Sequence, residues 1–268
     1  MPHIRAGDIS LYYELQGEGP KLLCISGTNG DLRRKPNIFD SPLRQRFQLL
    51  AYDQRGLGQS DKPDRPYSMA EYADDAAALL DALGWDRCAV FGVSFGGMVA
   101  QEFALRHGGR VTRLVLACTS PGGAGGASYP LHELTALTPE SRARHMIPIN
   151  NVQRDAAWQQ ANPDSYQALI ETFVARSRSI DGDAASLMGA RRQIEARRDH
   201  DTFDRLPQLG MPVFICGGRF DGIARPESLA ALQRQIPGAR LEYFDGGHFF
   251  LLEDRRAYPA IAAFLAEP

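Results

Sequence analysis

Cysteine is scarce in this chain: four among 268 residues, Cys24, Cys88, Cys118 and Cys216, with no C-x-x-C spacing. That scatter removes the paired spacing of metal ribbons and dithiol redox motifs. Each thiol falls inside or beside an apolar run, where it packs as a small hydrophobe. Long hydrophobic runs are missing too. None approaches the length needed to span a bilayer, and the first eight residues, MPHIRAGD, hold no signal-peptide stretch, so a cytoplasmic location away from membranes is expected. Excess charge of one sign is also absent. Thirty basic and 32 acidic residues leave a formal net charge of −2, which predicts no attraction to nucleic acid and points away from polyanionic substrates. There is no H-E-x-x-H and no clustered His/Asp ligand set, so a metal is not expected; no organic cofactor is implied either. Gly122 to Gly126 could pass for a phosphate loop, but no Lys-Ser or Lys-Thr follows, which leaves a flexible hinge.

What is present is ordinary soluble composition, 44% hydrophobic and 23% charged. The length suits one large α/β domain or two small ones and can bury a sizeable core without staples. Ile9, Leu11, Tyr13 and Leu15 alternate with polar neighbours, the period of a half-buried strand. Gly17 to Pro20 then make a turn. A continuous apolar run follows at Leu22–Ile25, with similar short runs at Phe47–Tyr52, Cys88–Val93, Leu114–Cys118 and Val213–Cys216, as in strands covered on both faces; Arg240–Phe244 suits an edge. Helical patterns lie between them. Ser68 with Glu71 makes a capping box for a helix ending near Gly84, Met98–His107 reads as another, Pro226 opens a third, and a last covers about Asp254 to Ala266. Strands alternating with helices specify a mostly parallel sheet flanked by helices, with a leading antiparallel hairpin at one end.

One segment breaks this alternation. From about Gly122 to Leu206 there are helical patterns and no convincing strand, so residues 122–206 are predicted to form a helical cap inserted into a core made of 1–121 and 207–268. Within it Arg191, Arg192, Arg197 and Arg198 mix with Glu195, Asp199, Asp201 and Asp204, which reads as a solvated helix face.

The chemistry is carried by three loops. Gly92-Val93-Ser94-Phe95-Gly96 fits G-x-S-x-G, a weak signal alone. Here, however, the serine ends a buried strand and opens a helix, a sharp turn that exposes a nucleophile at the carboxyl edge of the sheet. The plainer alternative is a helix N-cap. A serine hydroxyl needs a base. Of six histidines, His248 alone lies in a loop directly after the last strand, on that same edge. The imidazole in turn needs a carboxylate. Asp221 follows Val213–Cys216, whereas the loop after Leu114–Cys118 reads Thr119-Ser120-Pro121 and has none; Asp245 is too close to His248 in the chain to be preferred.

With the order Ser94, Asp221, His248, and with Asp53-Gln54-Arg55-Gly56-Leu57-Gly58-Gln59-Ser60 resembling D-x-R-G-x-G-x-S, the chain resembles the α/β-hydrolase superfamily over essentially its whole length, in the subgroup with a helical cap. The resemblance implies an eight-stranded sheet, and an oxyanion hole made by the amide of Phe95 and that of Thr28, in the loop Ser26-Gly27-Thr28 that stands in place of the usual His-Gly-x. It also casts Asp53 and Arg55 as scaffold for their turn. Serine at the elbow differs from the aspartate of the family's haloalkane dehalogenases and epoxide hydrolases. The implied activity, similar to the enol-lactonase and carboxylesterase branches, is hydrolysis of a small carboxylic ester or lactone through an acyl-serine. C–C bond hydrolysis, thioesterase or perhydrolase chemistry, and a slow-turnover ligand receptor stand as alternatives, because pocket shape rather than the triad sets the substrate.

Overall fold

A computed structural model describes residues 2–178 and 183–267. Eight strands form one sheet: β1 (His3–Ala6), β2 (Ile9–Gln16), β3 (Lys21–Ile25), β4 (Gln48–Tyr52), β5 (Cys88–Val93), β6 (Val111–Ala117), β7 (Val213–Gly218) and β8 (Arg240–Phe244). Their order is β1-β2-β4-β3-β5-β6-β7-β8. Pairing is parallel from β4 through β8 and antiparallel at β1/β2 and β2/β4. Central strands that read as apolar at every position are buried along their length, while β8 alternates, as an edge should.

The leading hairpin differs from expectation. Its strands are β1 and β2, joined through Gly7 and Asp8, and β1 is too short and polar to show a period. After the turn at 17–20, β3 does not return along β2; it passes to the far side of β4. The reason is burial. β3 must be covered on both faces, whereas half-buried β2 tolerates a place near the edge.

Nine α-helices accompany the sheet among the described residues: α1 (Met69–Ala82), α2 (Phe95–Arg106), α3 (Pro139–Asn150), α4 (Ala156–Ala161), α5 (Pro163–Arg178), α6 (Ala184–Ala196), α7 (Pro226–Gln235), α8 (Phe250–Glu253) and α9 (Ala257–Leu265). The Ser68–Glu71 capping box opens α1, with the Ser68 hydroxyl accepting from the Glu71 amide at 3.2 Å. α2 is buried from Phe95 to Ala104 and packs on β3, β5 and β6. The predicted C-terminal helix is α9, which starts at Ala257; Asp254, between it and the unpredicted short α8, adopts an extended backbone and accepts from the Asp245 and Arg256 amides. None of the helices is long and apolar enough to cross a membrane.

Between β6 and β7 the described residues hold α3 to α6 and no strand; residues 179–182 of that span lie outside the described residues. The glycine stretch that opens it is no loose hinge. Gly122 bridges Asp201 across the base of the segment, the Thr202 amide donates to the Pro121 carbonyl at 2.8 Å, and Gly125 is buried. Entry and exit are thus tied together. The arginine-rich stretch also divides. Arg191 and Arg192 pair with Glu195, and Arg198 with Asp199, as a solvated face should. Arg197, by contrast, is buried against Ser128 and the Tyr129 carbonyl, and burial lowers its pKa to about 10.

Candidate active site

Order reversal in the sheet occurs around β3, which lies between β4 and β5, and open α/β sheets leave a crevice at the carboxyl ends of strands at such a point. Ser94 stands there, immediately after β5. Its backbone has φ +54°, a left-handed conformation that a residue with a Cβ adopts only under constraint. The constraint is visible in its neighbours. The Ser94 amide is held by the Ala117 carbonyl at 2.8 Å, and a Cβ at Gly96 would lie 2.1 Å from the Ile25 carbonyl oxygen. Glycine at 96 therefore lets the first turn of α2 press against the end of β3, and the strand-to-helix elbow stays tight.

Asp221 and His248 reach the same point from the ends of β7 and β8, beyond β6 in the sheet. The loops after β7 and β8 are stitched together, the Arg219 amide donating to the Phe244 carbonyl at 2.9 Å and the Phe220 amide to the Gly246 carbonyl at 3.0 Å. Across them His248 Nδ1 lies 2.8 Å from Asp221 Oδ2, and His248 Nε2 lies 2.9 Å from Ser94 Oγ. The other carboxylate oxygen of Asp221 accepts from the Ile223 and Ala224 amides at 2.7 and 3.0 Å. This side chain is fully buried, and each of its oxygens is occupied. The runner-up acid is elsewhere: Asp245 is 71% exposed and pairs with Arg219 and Arg256.

The loop between β3 and the buried turn 53–60 faces the elbow. Ser26, Gly27, Thr28 and Ser94 line one cavity of about 510 Å³ with His248. Phe95, the other residue named for an oxyanion hole, follows Ser94 as the first residue of α2, with its side chain buried. Most of the wall is apolar. Leu131, Leu134, Met146, Phe173 and Ile194 reach it from the segment between β6 and β7, and Arg34, Arg142 and Arg176 also line it. Arg142 donates to the Leu134, Thr135 and Leu137 carbonyls, each at 3.2 Å.

Asp53 and Arg55 hold their turn. One carboxylate oxygen of Asp53 accepts from the Leu32 amide and the other from Gln59, both at 2.8 Å; burial raises its pKa to about 6. The Arg55 guanidinium makes a buried two-pronged bond to Asp75 and reaches Asp8 at 2.8 Å.

Part of the surroundings carries no mark in the sequence. Cys118, read as ordinary strand packing, has φ +40° and lines the cavity; its Sγ, an Asp221 oxygen and a His248 nitrogen lie within 4.8 Å of one another. Burial and the Asp221 carboxylate push its thiol well above the usual range. A cysteine within a strand-like run carries no sequence mark of that neighbourhood. Equally unmarked is α3, whose end grips both loops. The Asn150 carbonyl accepts from the His248 amide at 2.7 Å, and the Ile149 carbonyl from the Gly222 amide at 3.0 Å.

Comparison with known proteins agrees with this architecture. A 2-hydroxymuconate semialdehyde hydrolase of Pseudomonas putida is 30% identical over 263 residues, covering 94% of this chain and 89% of that one. A poly(3-hydroxyalkanoate) depolymerase of Ectopseudomonas oleovorans is 27% identical over 247 residues, covering 92% and 84%. Among solved structures, the enol-lactonase from Burkholderia xenovorans LB400 superposes with a TM-score of 0.78 at 24% identity, covering 99% of this chain and all of that one. The family model of the alpha/beta hydrolase fold matches residues 20–255, the span that runs from β3 past His248, and the chain belongs to that family.

Proposed function

We propose that this protein is a serine hydrolase that cleaves a small carboxylic ester or lactone through an acyl-serine intermediate, with Ser94 as nucleophile, His248 as general base and acid, and Asp221 as the orienting carboxylate. The observation that carries this reading is the continuous chain Ser94 Oγ–His248 Nε2–His248 Nδ1–Asp221 Oδ2, with links of 2.9 and 2.8 Å, at the wall of an apolar cavity. Ser94 Oγ attacks the carbonyl carbon while its proton passes to His248 Nε2. Asp221 accepts from Nδ1–H, which presents the Nε2 lone pair to Ser94 and then stabilises the imidazolium. The amides of Phe95 and Thr28 take the developing oxyanion, each worth around 3 kcal/mol. Collapse of the tetrahedral intermediate breaks the C–O bond, and His248 returns the proton to the leaving oxygen. In a lactone that oxygen stays tethered to the acyl chain. Water activated by His248 then releases the acid and restores Ser94.

Residues 122–206 act in this reading as a cap that shapes the acyl pocket over a core of 1–121 and 207–268. Their support is the apolar wall contributed by α3, α5 and α6. A cavity of about 510 Å³ suits a small molecule. A second reading, hydrolysis of a carbon–carbon bond, draws on the 30% identity to the 2-hydroxymuconate semialdehyde hydrolase, and the same triad would serve it.

A panel of short-chain esters, lactones, thioesters and β-diketones, with 2-hydroxymuconate semialdehyde included, separates these. The expected result is the highest kcat/KM among esters or lactones. Turnover confined to the diketones or the semialdehyde selects the second reading, and no turnover of any member points to a ligand receptor.

A further inference from the structure

The loop that follows β3 is held by three side chains, two from the turn after β4 and one from α6. Gln54 Nε2, from the turn after β4, donates to the Ser26 carbonyl at 2.8 Å. Asp53 accepts from the Leu32 amide at 2.8 Å. Between those two anchors lies Asn29, whose backbone is left-handed at φ +58°. Its amide donates to Gln193 Oε1 at 2.8 Å. Gln193 belongs to α6, is fully buried, and stands 164 residues away in the chain.

The placement of α6 is rigid enough to make that bond matter. One turn before Gln193, Gly189 meets the turn 53–60 so closely that a Cβ there would lie 1.9 Å from the Gly56 carbonyl oxygen. The helix is docked backbone to backbone, and residues four apart lie on one helix face. The turn carrying Gln54 and the helix carrying Gln193 therefore form one unit that grips the loop on both sides of Thr28.

Resting on the serine-hydrolase reading, we infer that Gln193 is a positioning residue for the oxyanion hole: by fixing the Asn29 amide it holds the Thr28–Asn29 peptide, and so limits the rotation at Thr28 that would turn the adjoining Thr28 N–H away from the oxyanion. The segment 122–206 then contributes to rate as well as to substrate choice. An amide donor aimed off the developing oxyanion loses stabilisation present only in the transition state, so kcat falls while ground-state binding is kept.

The test uses Gln193→Met, which keeps the length of the side chain and removes the acceptor, and Gln193→Glu, which keeps an acceptor oxygen. Gln193 Nε2 has no hydrogen-bond partner among the described residues, so the methionine variant loses one bond only. On the best ester of the panel, Gln193→Met should lower kcat at least tenfold with KM within twofold. A boronic acid that mimics the tetrahedral intermediate should weaken by the same factor, while the alcohol product inhibits as before. Gln193→Glu should recover most of the loss. Unchanged kcat in Gln193→Met, a rise in KM alone, or equal loss in both variants overturns the inference. Wild-type protein with no turnover on the panel overturns the serine-hydrolase reading itself, whereas active wild type beside an unaffected Gln193→Met removes only the role of Gln193.

Discussion

Ser94→Ala should abolish turnover, with kcat falling by about 10⁶-fold, as when the nucleophile of a serine hydrolase is removed. That corresponds to about 8 kcal/mol of lost transition-state stabilisation. Among the described residues no other hydroxyl is bonded to His248 Nε2, so none of them replaces the missing attack. Stability should barely change. Alanine keeps the Cβ that makes φ +54° costly, so the strain of the elbow stays and only the bond to His248 is lost, a change within about 1 kcal/mol. Steady-state kinetics beside urea unfolding checks both halves. Turnover near the wild-type rate removes Ser94 from the chemistry, and a large fall in stability would mean the serine is a structural cap.

Asp221→Asn should be the next most damaging exchange, lowering kcat by about 10⁴-fold. The local hydrogen bonds say why. The Ile223 and Ala224 amides both donate to Asp221 Oδ1, so an asparagine must keep its carbonyl oxygen there. Its NH₂ then faces His248 Nδ1, where Oδ2 accepted before. The ring is driven to the tautomer with the proton on Nε2, which points a hydrogen at Ser94 Oγ and removes the base. Fold and stability should be kept, because the substitution is isosteric. Wild-type turnover in Asp221→Asn would mean the carboxylate is not the partner of the base; Asp245→Asn, at the exposed alternative, is the control expected to be silent.

The parts of this site that are legible in the sequence share one property: each lies in the loop just past the carboxyl end of a strand. Ser94 and Asp221 follow apolar runs and His248 follows an alternating edge strand through Gly246-Gly247, so local pattern alone puts them on one edge of a parallel sheet. Gln193 had no such mark. Its partner is 164 residues away, and a buried glutamine on an amphipathic helix looks like any polar position until the packing of Gly189 on Gly56 is known. Arg197 was misread for the same reason, since charge patterning marks a solvated face only where nothing packs on it. The glycines at 122–126 read as a hinge because their composition is permissive, whereas the bridge from Gly122 to Asp201 is a long-range pairing that composition cannot express. β1 was missed because four residues are too few to show a period.

Labelling with a fluorophosphonate, followed by mass spectrometry of the modified peptide, tests the central claim most directly. The reagent requires an activated hydroxyl, and Ser94 has His248 Nε2 at 2.9 Å to take its proton and the proposed Phe95 and Thr28 amides to hold the phosphoryl oxygen. A single adduct is expected at Ser94, absent in Ser94→Ala and suppressed in His248→Ala, where the serine remains but its base is gone. Label spread over several serines, or undiminished in His248→Ala, would contradict it.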